Sequence, residues 1–153
     1  MNEIHIRPAT SADLPLLLEF EQGVIAAERP FDPTIRPHPT RYYDLRGMLT
    51  DPDVCLLVAE QQQQLVGSGY ARIKEAKPFN RHSHYAYLGF MYVLPSFRGR
   101  GINGLLIDAL KQWALSKGLH EMRLEVYYDN AAAIRAYEKA GFTKHMIEMR
   151  IPI

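Results

Sequence analysis

Apolar and polar residues alternate along Ile4-His5-Ile6-Arg7, the two-residue period of a half-buried strand. Thr10-Ser11-Ala12-Asp13 then offers a capping box ahead of Leu14, Leu16, Leu17, Leu18 and Phe20, so a helix is expected to follow. Residues 24–41 carry Pro30, Pro33, Pro37 and Pro39, which interrupt a helical ladder and an interior strand alike. A long, stiffened loop is expected there, of a length that usually serves a site. A short helix is expected at Tyr42–Leu49 and a turn at Asp51-Pro52-Asp53. Val54–Ala59, Leu65–Ile73 and Tyr85–Val93 then read as three successive strands of an antiparallel meander.

Beyond Pro95 the period changes. Ile102, Leu105, Leu106, Ala109, Leu110 and Trp113 recur at helical spacing, with Gly118 as the stop. Met122–Tyr127 alternates again, Asn130 is placed to cap a helix over Ala131–Ala140, Gly141 ends it, and Phe142–Ile151 is a last extended stretch. The second half therefore predicts strand, helix, strand, helix, strand.

Composition narrows the function classes. The 153 residues suit one domain, 1–153, with a core large enough to need no disulfide or metal. A net charge of +1 gives no field to draw in a nucleic acid or an acidic membrane, and no partner of either kind is expected. The start, Met1–Arg7, lacks the charged-then-apolar order of a secretory leader, and no run approaches a membrane span, so a cytoplasmic protein is expected. Cys55 is the one cysteine and lies in the apolar run Val54–Val58, which fits core filling in a reducing compartment better than a nucleophile. The six histidines are scattered, and no metal is implied.

The candidate chemistry lies in Val93-Leu94-Pro95-Ser96-Phe97-Arg98-Gly99-Arg100-Gly101-Ile102-Asn103-Gly104, which joins a strand to the start of a helix. Glycines there let backbone N–H groups converge on an anion, and the helix dipole adds partial positive charge. Arg98 and Arg100 add full charges suited to phosphate oxygens. The alternative is a glycine-rich turn that only packs helix on sheet. Residues 99–104 also satisfy the dinucleotide pattern G-x-G-x-x-G, but a meander precedes them and four residues separate strand from first glycine, which is not that motif's setting.

Arg98-Gly99-Arg100-Gly101-Ile102-Asn103 resembles the pyrophosphate loop Q/R-x-x-G-x-G/A of the GNAT N-acetyltransferases, with Asn103 where Gly or Ala is usual. Leu124–Phe142 resembles the same family's second signature, and Ile6–Pro15 its first strand and helix. The resemblance implies an α/β fold of the GNAT acyl-CoA N-acyltransferase type, a mixed, mostly antiparallel twisted sheet flanked by about four helices. It also implies acetyl-CoA as acetyl donor and an amine acceptor, either a small molecule or a peptide or protein. Arg98, Gly99, Arg100, Gly101, Ile102, Asn103 and Gly104 would grip the pyrophosphate. Backbone groups of Met91, Tyr92 and Val93 would pair with pantetheine and polarise the acetyl carbonyl, and Asn130 and Ala133 would meet the coenzyme arm. Tyr137 would contact the coenzyme sulfur as its proton donor, and Glu125 would be the base. A non-catalytic module that senses acyl-CoA is the competing expectation. The stretch after Gly141-Phe142 has room for one strand or a short bent pair where the family often has two strands, so a homodimer that completes the sheet edge is a further expectation. Arg29, Arg36 and Arg41 hint at an acidic acceptor, though a solvated basic loop explains them as well.

Overall fold

The computed structural model describes residues 3–153, so the first two residues of the Met1–Arg7 start lie outside it. Strand β1 spans His5–Pro8, β2 Val54–Gln61, β3 Gln64–Glu75, β4 His84–Val93 and β5 Met122–Arg123. They form one sheet in the order β1-β2-β3-β4-β5. The first four strands pair antiparallel and β5 pairs parallel to β4, because a helical crossover separates those two. Helices α1 (Leu14–Glu28), α2 (Leu45–Met48), α3 (Ile102–Ser116) and α4 (Ala131–Lys139) flank the sheet.

The start of α1 follows the expected capping chemistry. Thr10 N–H donates to Asp13 Oδ2 at 2.8 Å, and Arg7 closes a bidentate pair on the same buried carboxylate at 2.8 and 2.9 Å. The α1 helix runs to Glu28, five residues into the span expected to be loop. Pro30 lacks the N–H that the next turn needs, so the chain tightens into a 3-10 turn at Arg29–Phe31 and only then leaves the helix. Asp44 caps α2 by accepting from Gly47 N–H at 3.1 Å.

Alternation along the strands supplies two cores. Leu56 and Val58 join Leu17, Phe20, Leu45 and Met48 under α1 and α2. Leu57 and Ala59 join Ile102, Leu106 and Leu110 under α3. On β4 this alternation switches phase. Ala86 and Leu88 face α3, whereas Phe90 and Tyr92 face α1. Two β4 residues, Phe90 and Met91, oppose the single β3 residue Gly69, and Phe90 takes φ 56° although it is 2% exposed. This is a bulge held in the left-handed region by a bulky residue, a strained arrangement that re-aims the strand beyond it.

Candidate active site

Strands β4 and β5 share only the pairs Ala86–Met122 and Tyr87–Arg123, and then they part. The expected strand over Met122–Tyr127 is thus paired for two residues only. Its alternation nevertheless holds. Leu124 packs on the α3 side, while Glu125 and Tyr127 turn to the α1 side. Tyr92 and Val93 pair with Ser68 and Gly67 along one edge of β4, leaving the other edge toward the fork.

On the α3 side, the glycine loop and α4 line a cavity of about 480 Å³ with Val93, Phe97, Arg98, Gly99, Gly101, Ile102, Asn103, Gly104 and Asp108 on one side and Ala136, Lys139 and Ala140 on the other; of the expected coenzyme residues, Met91, Tyr92, Arg100, Asn130, Ala133 and Tyr137 are not among its lining. Gly99 and Gly101 both take φ +78°, a conformation that costs an L side chain roughly 1–2 kcal/mol. Gly101 immediately precedes the first turn of α3, and a Cβ at Gly99, Gly101 or Gly104 would meet open space. Gly99 and Gly101 are therefore demanded by backbone shape, not by crowding within the chain. Arg98 donates Nε–H to Val93 O at 3.0 Å, which ties the loop to the end of β4. The Arg100 guanidinium lies over the Phe97 ring at 4.9 Å. The positive helix end, the left-handed glycines at 99 and 101 and the lining Arg98 fit a diphosphate. Asn103 lines this cavity at the start of α3.

Helix α4 is capped by Asn130, whose Oδ1 accepts from Ala133 N–H at 3.2 Å; its amide nitrogen is left for another partner. Tyr137, two turns on, is half-buried against the α3-side core and meets Phe142 edge-on at 5.9 Å. Burial, and then the charge of Glu28, push its phenol up to about 12. Tyr137 is therefore protonated throughout the neutral range and is available as a donor.

The α1 side of the fork is acidic and aromatic. Tyr87 donates to Glu125 Oε1 at 2.8 Å, and Tyr127 donates to Asp32 Oδ2 at 3.1 Å while stacking on Phe31 at 6.0 Å. Burial and the Asp32 bond push the Tyr127 phenol up to about 12. Glu28 is raised by its own burial, and its charge is felt at Tyr42, Tyr43, Tyr127 and Tyr137. Neither Glu28 nor Asp32 was singled out by the sequence, where both sit among prolines with no spacing to mark them.

The arginines of that loop have internal work. Arg29 donates to Arg36 O at 2.8 Å, and Arg41 pairs with Glu21 at 3.4 Å. Glu21 is fully buried and accepts from the N–H groups of Tyr42 and Tyr43, both at 2.8 Å, which straps the loop onto α1. Gly23 lets that helix approach Tyr92, since a Cβ there would lie 2.7 Å from the tyrosine ring. Cys55 is half-buried against the α3-side core, and burial pushes its thiol up to about 11, so it is not a ready nucleophile. His82 pairs with Glu121 at 3.1 Å and His84 with Ser83 at 2.9 Å. Among the described residues no group of three or more His, Cys, Asp or Glu is arranged to hold a metal ion, and no helix is long and apolar enough to cross a membrane.

Residues 22–142 match the model of the acetyltransferase (GNAT) family. An acetyltransferase of Pectobacterium atrosepticum is 39% identical over 109 residues, covering 71% of each chain. Among solved structures, a Bacillus halodurans protein superposes with a TM-score of 0.87 at 19% identity, covering 97% of this chain and 99% of that one. A predicted acetyltransferase of Clostridium acetobutylicum, solved with acetyl-CoA, superposes with a TM-score of 0.75 at 20% identity, covering 98% and 96%. At such identities the structural likeness speaks for the fold.

Proposed function

This chain belongs to the acetyltransferase (GNAT) family, and from that premise we propose that it transfers acetyl from acetyl-CoA to a primary amine by direct attack in a ternary complex. The observation that carries the reading is the cavity shared by the glycine loop and α4, with Tyr137 on the same helix as its lining residues Ala136, Lys139 and Ala140. When bound, the coenzyme supplies an acetyl group activated as a thioester. The amides around Gly99, Gly101 and the start of α3 hold the diphosphate, with Arg98 and Arg100 beside them. Backbone groups of Met91–Val93, on the β4 edge left open beyond the bulge at Phe90, would pair with the pantetheine arm and polarise the acetyl carbonyl, where charge develops.

Tyr137 serves the leaving sulfur. A phenol at about 12 is a weaker acid than a thiol at roughly 8.5. Its first task is therefore to donate a hydrogen bond as thiolate character builds, with the proton following once the acceptor's cation offsets the Glu28 charge. On the α1 side, an amine arrives as an ammonium with a pKa near roughly 10.4. Glu28 and Asp32 favour that cation, and Glu125, held by Tyr87, takes its proton. The acceptor is accordingly a cationic amine, not an acidic one.

A panel of small amines, amino acids, peptides and lysine-bearing substrates with acetyl-CoA, followed by free-thiol release, tests the proposal. Release that requires both amine and enzyme is the expected result. Tight coenzyme binding with no release across the panel would instead support the sensor.

A further inference from the structure

Asp32, on the acceptor side, already holds a cation. Its Oδ1 accepts from Arg150 at 3.0 Å, from the Thr34 N–H at 2.9 Å and from the Thr34 hydroxyl, while its Oδ2 accepts from Tyr127 at 3.1 Å. Thr34 Oγ1 accepts a second bond from Arg150 at 3.1 Å, so the guanidinium is clamped at two points. Arg150 comes from residues 143–153, which form no helix or strand and make no backbone hydrogen bond to a described residue. Among the described residues, no other side chain of 143–153 has a hydrogen bond or ion pair, so one guanidinium fastens this segment to the acceptor side. Glu28, four residues before Asp32, has no cation within ion-pair distance among the described residues. Its charge is felt at both Tyr127 and Tyr137, which sets it between the two phenols. The site therefore has two neighbouring carboxylates, one compensated and one bare.

We infer that Arg150 is a built-in competitor at a second cation subsite, and that the acceptor is a diamine whose second ammonium replaces it at Asp32. The inference rests on the acceptor reading above and names its substrate class. The bare Glu28 takes the reacting amine. Asp32 takes a further cation only by exchange, one charge-assisted hydrogen bond for another. A guanidinium tethered to the chain competes at an effective concentration on the order of millimolar, so a separate small cation below that level does not displace it. An ammonium joined to one already bound at Glu28 is tethered in the same sense and competes on equal terms. The Asp32 side chain is 12% exposed and that of Arg150 54%, so the anion is fixed in the body while the cation that covers it can leave into solvent. A monoamine at Glu28 leaves the clamp shut, and a diamine opens it. Residues four apart on a helical turn have Cβ atoms roughly 5–6 Å apart, a distance that a chain of three or four methylenes spans between its nitrogens.

The test sets propane and butane diamines against propylamine and butylamine, by steady-state kinetics with acetyl-CoA and by calorimetry with coenzyme A present. The full chain should bind each diamine more tightly than its monoamine. Arg150→Gln should lower the Kd and KM of the diamines about fivefold, the scale of a part-exposed ion pair, and leave those of the monoamines within about twofold. Arg150→Lys keeps the charge and should stay within about twofold of the full chain for both. Asp32→Asn should remove the advantage of the diamine. If Arg150→Gln moves both kinds of amine alike, Arg150 only braces the loop and the inference is overturned. A diamine that binds no better than its monoamine would overturn it too. In both cases acetylation of the amines would leave the acceptor reading standing. Amines that neither bind nor are acetylated would remove that reading, and the inference with it.

Discussion

The two sides of the fork are built on different principles. On the proposed reading the α3 side would hold the coenzyme with backbone, so its requirements fall on a few consecutive residues: left-handed glycines at 99 and 101 and a helix that starts at once. The α1 side is assembled from side chains far apart in sequence. Tyr127 reaches Asp32 across 95 positions, and Tyr87 reaches Glu125 across 38. A backbone site leaves a compact signature, whereas a side-chain site can be rebuilt from many residue types. The first therefore suits a constant coenzyme and the second a variable acceptor.

Substitutions should separate the two sides. Tyr137→Phe removes the proposed donor to the coenzyme sulfur and should lower kcat about 100-fold while coenzyme affinity, read by calorimetry, stays within about twofold. Gly101→Ala places a side chain at φ +78° at a cost of roughly 1–2 kcal/mol and should weaken coenzyme binding about tenfold with little change in amine KM. On the other side Glu28→Gln should raise amine KM about fivefold and leave coenzyme affinity unchanged, because it removes negative charge that favours the cationic amine.

The foot of α1 provides a stability control. Asp13→Asn should cost about 2 kcal/mol in urea unfolding at pH 7, through loss of the Arg7 pair and the Thr10 cap. Arg7 chiefly holds the Asp13 carboxyl below its ordinary range. This stabilisation is therefore complete above the ordinary carboxylate pKa and fades as pH falls through the lower folded value, so wild type and variant should converge in acid. The smallest effect is expected of Cys55→Ala, which should leave turnover unchanged because the thiol has no part in direct attack.

What was legible in sequence follows the same division. The meander, α3 and the capped α4 were readable because alternation, helical spacing and end residues are local. The glycine loop was readable because it answers to backbone conformation. The extent of α1 was missed because four prolines suggested a break at residue 24, although Pro30 forbids only the turn it enters. Alternation across Met122–Tyr127 correctly assigned faces but not partners, since it cannot report that β4 and β5 separate after two pairs. The arginines at 29 and 41, readable in sequence as a solvated basic loop or as a hint of an acidic acceptor, fasten the loop to itself and to Glu21. Glu28 and Asp32 carried no signal, because their meaning comes from Tyr127 and Tyr137 a hundred residues on.

The central claim is that the amides at the start of α3 hold a diphosphate. Calorimetric titration of coenzyme A against pantetheine, which keeps the thiol arm and lacks the diphosphate, tests it most directly. Two charge-assisted hydrogen bonds amount to about 3 kcal/mol, so coenzyme A should bind at least about 100-fold more tightly, with a matching rise in Tm. Equal affinities, or no heat from either ligand, would contradict the account.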